Sequence, residues 1–142
     1  MAATVQDIES ALIAKLGSAL PELEVEAFPE KPEEYSLLHP VGAVLVQYDG
    51  SELSGNALAN GGVAQVRTLR FSVVYLVRNL RDSAGCYDVL QRGADALSGL
   101  IIAGALTPCI LARESFNAEA DGVWMYAQSY TVKVRHAVAG HV

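Results

Sequence analysis

Tyr48-Asp49-Gly50-Ser51-Glu52-Leu53-Ser54-Gly55-Asn56-Ala57-Leu58-Ala59-Asn60-Gly61-Gly62-Val63 is the stretch on which the fold turns. It joins the apolar run Val41–Tyr48 to the long run Val63–Arg78. The fourteen residues from Asp49 to Gly62 are polar and glycine-rich, with too few apolar side chains to pack a core of their own. A β-hairpin needs only about two to five residues to turn. The stretch therefore reads as a long flexible loop, either functional or disordered until a partner orders it.

On either side of it the pattern is that of strands. Val41-Gly42-Ala43-Val44-Leu45-Val46-Gln47-Tyr48 is a continuous apolar run and suits a strand covered on both faces in its middle. Gln65–Arg78 is longer. Leu69, Phe71, Val73, Tyr75 and Val77 give it one apolar face, and the other is mixed. Its first residues, Gln65 to Thr68, are more polar, as in one arm of a protruding hairpin. Val123–Ala137 alternates bulky Trp124, Tyr126, Tyr130, Val132 and Val134 with small or polar Ala127, Ser129, Thr131, Lys133 and Arg135. One face of it should be covered and the other open to solvent or a partner. Leu23–Phe28 alternates apolar and acidic residues as a half-exposed strand, and Pro108–Phe116 reads as a shorter strand before an acidic turn at Asn117–Gly122. Residues Pro29–Pro40 form an irregular connection.

Two helices complete the set. Ile8, Leu12, Ile13, Leu16 and Leu20 form a stripe at helical spacing, with Thr4 or Asp7 as cap and Pro21 as stop. Tyr87, Leu90, Ala94, Leu97 and Ile101 mark a second helix over about Ala84–Ile102, capped from Asn79–Ser83 and stopped at Gly104. Gly93 and Gly99 would lie inside it, each costing ~1 kcal/mol against alanine, a cost that close approach to the sheet would explain. The order α-β-β-β-α-β-β predicts a single α+β domain over residues 1–142. It would have an antiparallel or mixed sheet of about five strands, two helices on one face and a frayed tail at 138–142.

Composition narrows the function. The 142 residues are 51% hydrophobic and 18% charged, as in a globular domain with apolar surface left over for a subunit interface. The net charge of −6 argues against sequence-specific nucleic acid binding and against anionic membrane surfaces. No run approaches the ~20 apolar residues of a membrane span, and the N-terminus lacks the pattern of a signal peptide. Cys86 and Cys109 have no CxxC spacing and read as small core residues in a reducing compartment.

No constellation suggests chemistry. His39, His136 and His141 are scattered, without a cysteine or carboxylate at metal-ligand spacing. There is no Gly-x-Ser-x-Gly elbow, no GxGxxG and no Gly-Lys-Ser/Thr. The carboxylates Glu22, Glu24 and Glu26 read as a solvated face. The expectation is a non-enzymatic protein with no catalytic, cofactor or metal site. If the polar insertion works, it works on another chain. The candidate interface residues are Ser51, Leu53, Asn56, Leu58, Asn60, Gln65, Arg67, Arg70, Lys133 and Arg135. Arginine suits interfaces because its planar fork forms bidentate pairs.

The order of motifs also carries a resemblance. The amphipathic Ile8–Leu20 leads to Val25-Glu26-Ala27-Phe28-Pro29, then to Gly42-Ala43-Val44-Leu45-Val46-Gln47-Tyr48 and the Gly/Ser stretch. There follow Gln65, Val77-Arg78-Asn79-Leu80, Gly85-Cys86-Tyr87 and finally Asp121-Gly122-Val123-Trp124-Met125-Tyr126. Over nearly the whole chain this resembles the tail-terminator family of Mu-like contractile-tailed bacteriophages and related prophages or tailocins. The resemblance implies a structural virion protein that forms a ring, usually a hexamer, on the last disc of the tail tube. Such a ring stops tube polymerisation, offers a docking face to the head-completion or connector protein and contacts the tail sheath protein. It is assembled in the host bacterial cytoplasm and resides in the virion tail or neck. An acidic ring would also avoid gripping DNA passing through it. The alternatives are another neck or head–tail joining protein, or a small-molecule-binding α+β domain.

Overall fold

Secondary structure follows the predicted order in a computed structural model of residues 1–142. Helix α1 (Val5–Ala19) leads to strand β1 (Glu24–Ala27), a 3-10 turn (Pro32–Glu34), β2 (Gly42–Ala57) and β3 (Val63–Val77). Helix α2 (Cys86–Leu97), β4 (Ile110–Ala120) and β5 (Val123–Val138) complete the chain. The five strands form one mixed sheet in the order β1-β2-β3-β5-β4, in which β1 pairs parallel to β2 and every other pair is antiparallel.

Both helices pack on one face of this sheet. Thr4 starts α1 with a capping box: its hydroxyl accepts from Asp7 N at 3.1 Å, and the Asp7 carboxylate accepts from Thr4 N at 2.9 Å. The stripe Ile8, Leu12, Leu16 and Leu20 is fully buried. It meets Val44 and Val46 of β2, the whole predicted face Leu69, Phe71, Val73, Tyr75 and Val77 of β3, and Tyr130, Val132 and Val134 of β5. On the opposite face the Phe28–Tyr35 connection lies over Leu45 and Leu76. Ala43 to Val46 are thus buried from both sides, as their continuous apolar run predicts. The connection is fastened by Arg78, whose guanidinium donates to Leu37 O at 2.9 Å and His39 O at 3.0 Å.

Gly93 explains itself. A Cβ there would stand 2.0 Å from the Tyr75 hydroxyl oxygen, so α2 reaches the sheet only because that side chain is absent. That hydroxyl donates to Gln128 Oε1 at 2.7 Å, as does the Tyr130 hydroxyl. Gln128 Nε2 donates in turn to Leu90 O at 2.9 Å and Glu114 Oε2 at 2.7 Å. The amide is fully buried and uses both of its ends.

Several boundaries differ from the sequence reading. Helix α2 is shorter than Ala84–Ile102. Gly85 is its N-cap, with no side-chain cap from Asn79–Ser83, and Gly99 lies beyond its end at φ +82°. The turn expected over Asn117–Gly122 shrinks to Asp121-Gly122. Both residues have positive φ (52° and 78°), as a two-residue type I′ turn requires, and β4 therefore continues to Ala120. Val138 is still strand, and residues 139–142 beyond it are exposed and form no regular element.

Candidate functional site: a three-stranded arm

The largest departure is at the opening stretch. The expected loop Asp49–Gly62 is strand as far as Ala57, and only residues 58–62 turn the chain. Leu58 N donates to Gly62 O at 2.7 Å, Gly61 N to Leu58 O at 3.0 Å, and Gly62 N to Asn60 Oδ1 at 3.1 Å. Pairing with β3 runs unbroken from Gly50↔Arg70 to Ala57↔Val63, after one irregularity between Tyr48 and Gly50. β5 pairs with the other side of β3 as far as Val63↔Val138. The physical reason is the ladder itself. A strand flanked by a neighbour satisfies its backbone whatever its side chains, so apolar content is required only where a face meets a core.

β2, β3 and β5 therefore run on together past the helix-covered core as a ribbon. The candidate residues divide over it by alternation. Ser51, Leu53, Gln65 and Arg67 share the face that, further along, carries the helices. Asn56, Arg70, Lys133 and Arg135 share the opposite face, and Leu58 and Asn60 sit in the turn. The structure gathers all ten on one arm but not into one patch.

Arg67 is held in place. Its Nε donates to Ser51 Oγ at 3.1 Å and its Nη2 to the Tyr48 hydroxyl at 3.2 Å. Burial pushes the Tyr48 phenol up, but hydrogen bonding with Ser51 and Arg67 and the Arg67 charge together hold it below its usual pKa. Arg70 pairs with Glu52 across the strands at 3.6 Å, with both side chains largely exposed. Such a pair contributes little to stability and leaves both charges available. Ser72 donates to the Asp49 carboxylate beside the irregularity. Leu53 and Leu58 are exposed at 48% and 46%.

Charge is segregated across the sheet. β1 and β2 carry Glu24, Glu26, Asp49 and Glu52 and no lysine or arginine. β5 carries Lys133, Arg135 and His136 and no carboxylate. Burial and the neighbouring Glu24 both push the Glu26 pKa up. A groove of about 450 Å³ runs beside the β5 end of the arm, between Arg135 and Ala137 on one side and Met1, Ala2, Gly104 and Leu106 on the other.

At the far end of the sheet lies a second feature that the sequence reading did not assemble. Phe116 of β4 meets Tyr126 edge to face (5.3 Å between centroids) and Trp124 at a tilt (6.3 Å), both of β5, and Tyr87 of α2 meets Tyr126 edge to face (6.4 Å). Phe116 and Tyr87 remain half exposed. The Gln128 network was missed as well. Its only signal was a polar residue in the bulky even-numbered series of β5.

No group of three or more His, Cys, Asp or Glu side chains is arranged to hold a metal ion. Cys86 and Cys109 are buried and unpaired. Burial pushes their thiols to about 11 and about 12, helped at Cys86 by Glu114, so neither is a thiolate near neutral pH. No helix is long and apolar enough to cross a membrane.

Among solved structures, one chain of the "Virion of native gene transfer agent (GTA) particle" is similar at 16% identity and a TM-score of 0.45, over 92% of this chain and 90% of that one. No curated protein matches. The model of the Gp37 protein family matches residues 12–138, from the middle of α1 to the last residue of β5. The chain belongs to the Gp37 protein family.

Proposed function

We propose that the protein is a structural component of a phage-type virion, a tail terminator. In this role it forms a ring, hexameric by the resemblance, on the end of the tail tube. The ring stops tube polymerisation, contacts the sheath and presents a docking face to the head connector. The supporting sequence observation is the series of tail-terminator motifs from Ile8 to Tyr126. The observation that carries the reading is the arm. A sheet that runs six to eight residues past its helix-covered core, with mixed faces and open edges, has backbone to offer a neighbour and little to offer a small molecule.

The test is co-production with the tail tube protein of the same tail. Rings seen by negative stain, and tubes of uniform length only when this protein is present, are the expected results. A strict monomer at high concentration, with tube length unchanged by its presence, would remove the reading.

A further inference from the structure

The edges of the arm suggest how one copy meets the next. Opposed residues in an antiparallel pair alternate between those that bond across to the partner strand and those that face away from it. Leu58 N bonds across to Gly62 O. Ala57, Gly55, Leu53 and Ser51 of β2 therefore turn their N–H and C=O groups outward. β1 covers β2 only as far as Val46, whose carbonyl accepts from Phe28 N at 2.8 Å. On the other side of the arm, Lys133 of β5 faces away from β3. It donates through its N–H to Thr107 Oγ1 at 3.0 Å and accepts from Leu106 N at 2.7 Å. Arg135 and Ala137 face the same way, and no backbone group partners them.

These are two unprotected edges of one ribbon. The β2 edge has regular register from Gly50 to Ala57, no proline and no lysine. Its one charged side chain is Glu52 and its one irregularity, at Tyr48/Gly50, lies before the open stretch, so little blunts this edge. β4 carries two irregularities, at Leu111/Arg113 and Phe116/Ala118, and is a poorer template for pairing. The open edge on that side of the sheet is therefore the end of β5, and the groove between Arg135 and Leu106 runs along it.

We infer that copies of this chain join head to tail through the arms, the free β2 edge at Ser51–Ala57 pairing with the free β5 edge at Arg135–Val138 of a second copy. β2 and β5 both run antiparallel to β3, so they point the same way, and copies related by rotation pair them in parallel. The two patches differ, as a ring requires. Their charges are complementary on one face of the ribbon: Glu52, whose exposed pair with Arg70 leaves it open to a second cation, on one edge strand, and Lys133 and Arg135 on the other. Like the proposed function, this inference rests on the protein being a ring-former, and it names the strands that close the ring.

The experiment is a charge exchange read by native mass spectrometry at fixed protein concentration. Glu52→Lys alone, and Lys133→Glu with Arg135→Glu, should each weaken assembly roughly tenfold or more, with far-UV circular dichroism unchanged. Mixed in equal amounts, the two variants should restore an even-numbered assembly, because each presents the edge that the other needs. As a second readout, amide exchange at Leu53, Gly55, Arg135 and Ala137 should slow in the wild-type assembly relative to dilute monomer. Rings that persist in both variants, or a mixture that stays unassembled although both are folded, would overturn the strand pairing and leave the ring reading standing. A wild-type protein that stays monomeric would overturn both.

Discussion

β2 and β3 are single strands with two different lives. From Gly42 to Tyr48 and from Leu69 to Val77 they lie under two helices, and the side chains that face those helices, Val44, Val46, Leu69, Phe71, Val73, Tyr75 and Val77, are fully buried. From Gly50 to Ala57 and from Val63 to Thr68 the same strands carry serine, asparagine, glutamine and arginine, exposed on β2 from Glu52 to Ala57 and half-buried on β3 between its two neighbours. The covered half is specified by burial, and a change there should register as stability. The bare half is held by ladder hydrogen bonds to neighbours on β3 and β5, and a change there should register as assembly.

The sharpest way to break this contrast is to truncate one side chain in each half. Phe71→Ala, in the covered half, should cost about 3–5 kcal/mol, whereas Leu53→Ala in the bare half should stay within about 0.5 kcal/mol. Urea denaturation of both variants checks the difference. Equal losses would mean that the arm has a core of its own.

Smaller effects test how tightly the covered half is specified. Gly93→Ala places a methyl group against the Tyr75 hydroxyl and should destabilise by about 1–3 kcal/mol. Tyr75→Phe in the same chain should recover part of the loss, measured by thermal melting. Gln128→Leu leaves two buried tyrosine hydroxyls and the Leu90 carbonyl without their shared partner. About 1–3 kcal/mol is expected from denaturant curves.

The smallest effect is at the cap. Hydrogen bonds from the Thr4 backbone and hydroxyl hold the Asp7 pKa below its usual 3.8. A carboxylate with a depressed folded pKa stabilises the fold above its unfolded pKa, and that stability is lost as pH falls through the folded value. Melting curves between pH 2 and pH 5 should therefore show a slightly steeper acid loss for the native chain than for Thr4→Ala.

How much of this could be read from residues alone follows the same division. The Ile8–Leu20 stripe, the Leu69–Val77 face and the doubly covered Ala43–Val46 are periodic because they meet a core, and periodicity is what a sequence displays. The arm meets no core, so Asp49–Gly62 looked like a loop although eight of its first nine positions lie in paired register. The signal available was on the partner strand: Gln65–Thr68 continues β3 without a break, and a strand that long needs something beside it. The ten candidate interface residues do share the arm, but which of them share a face depends on register. The irregularity at Tyr48/Gly50 shifts that register by one, and composition cannot show it. Gln128 was hidden for a different reason. A buried amide is legible only once Tyr75, Tyr130 and Glu114 are brought around it from three strands.

The central claim is that the bare half of the sheet exists for assembly. It is tested most directly by measuring mass by light scattering for the intact protein and for one in which Leu53–Arg67 is replaced by Asn-Gly. The replacement joins the paired residues Glu52 and Thr68. The shortened protein should keep the native far-UV spectrum and cooperative melting and run as a monomer, while the intact protein forms a ring. A shortened protein that still forms rings of the same subunit number would contradict the account.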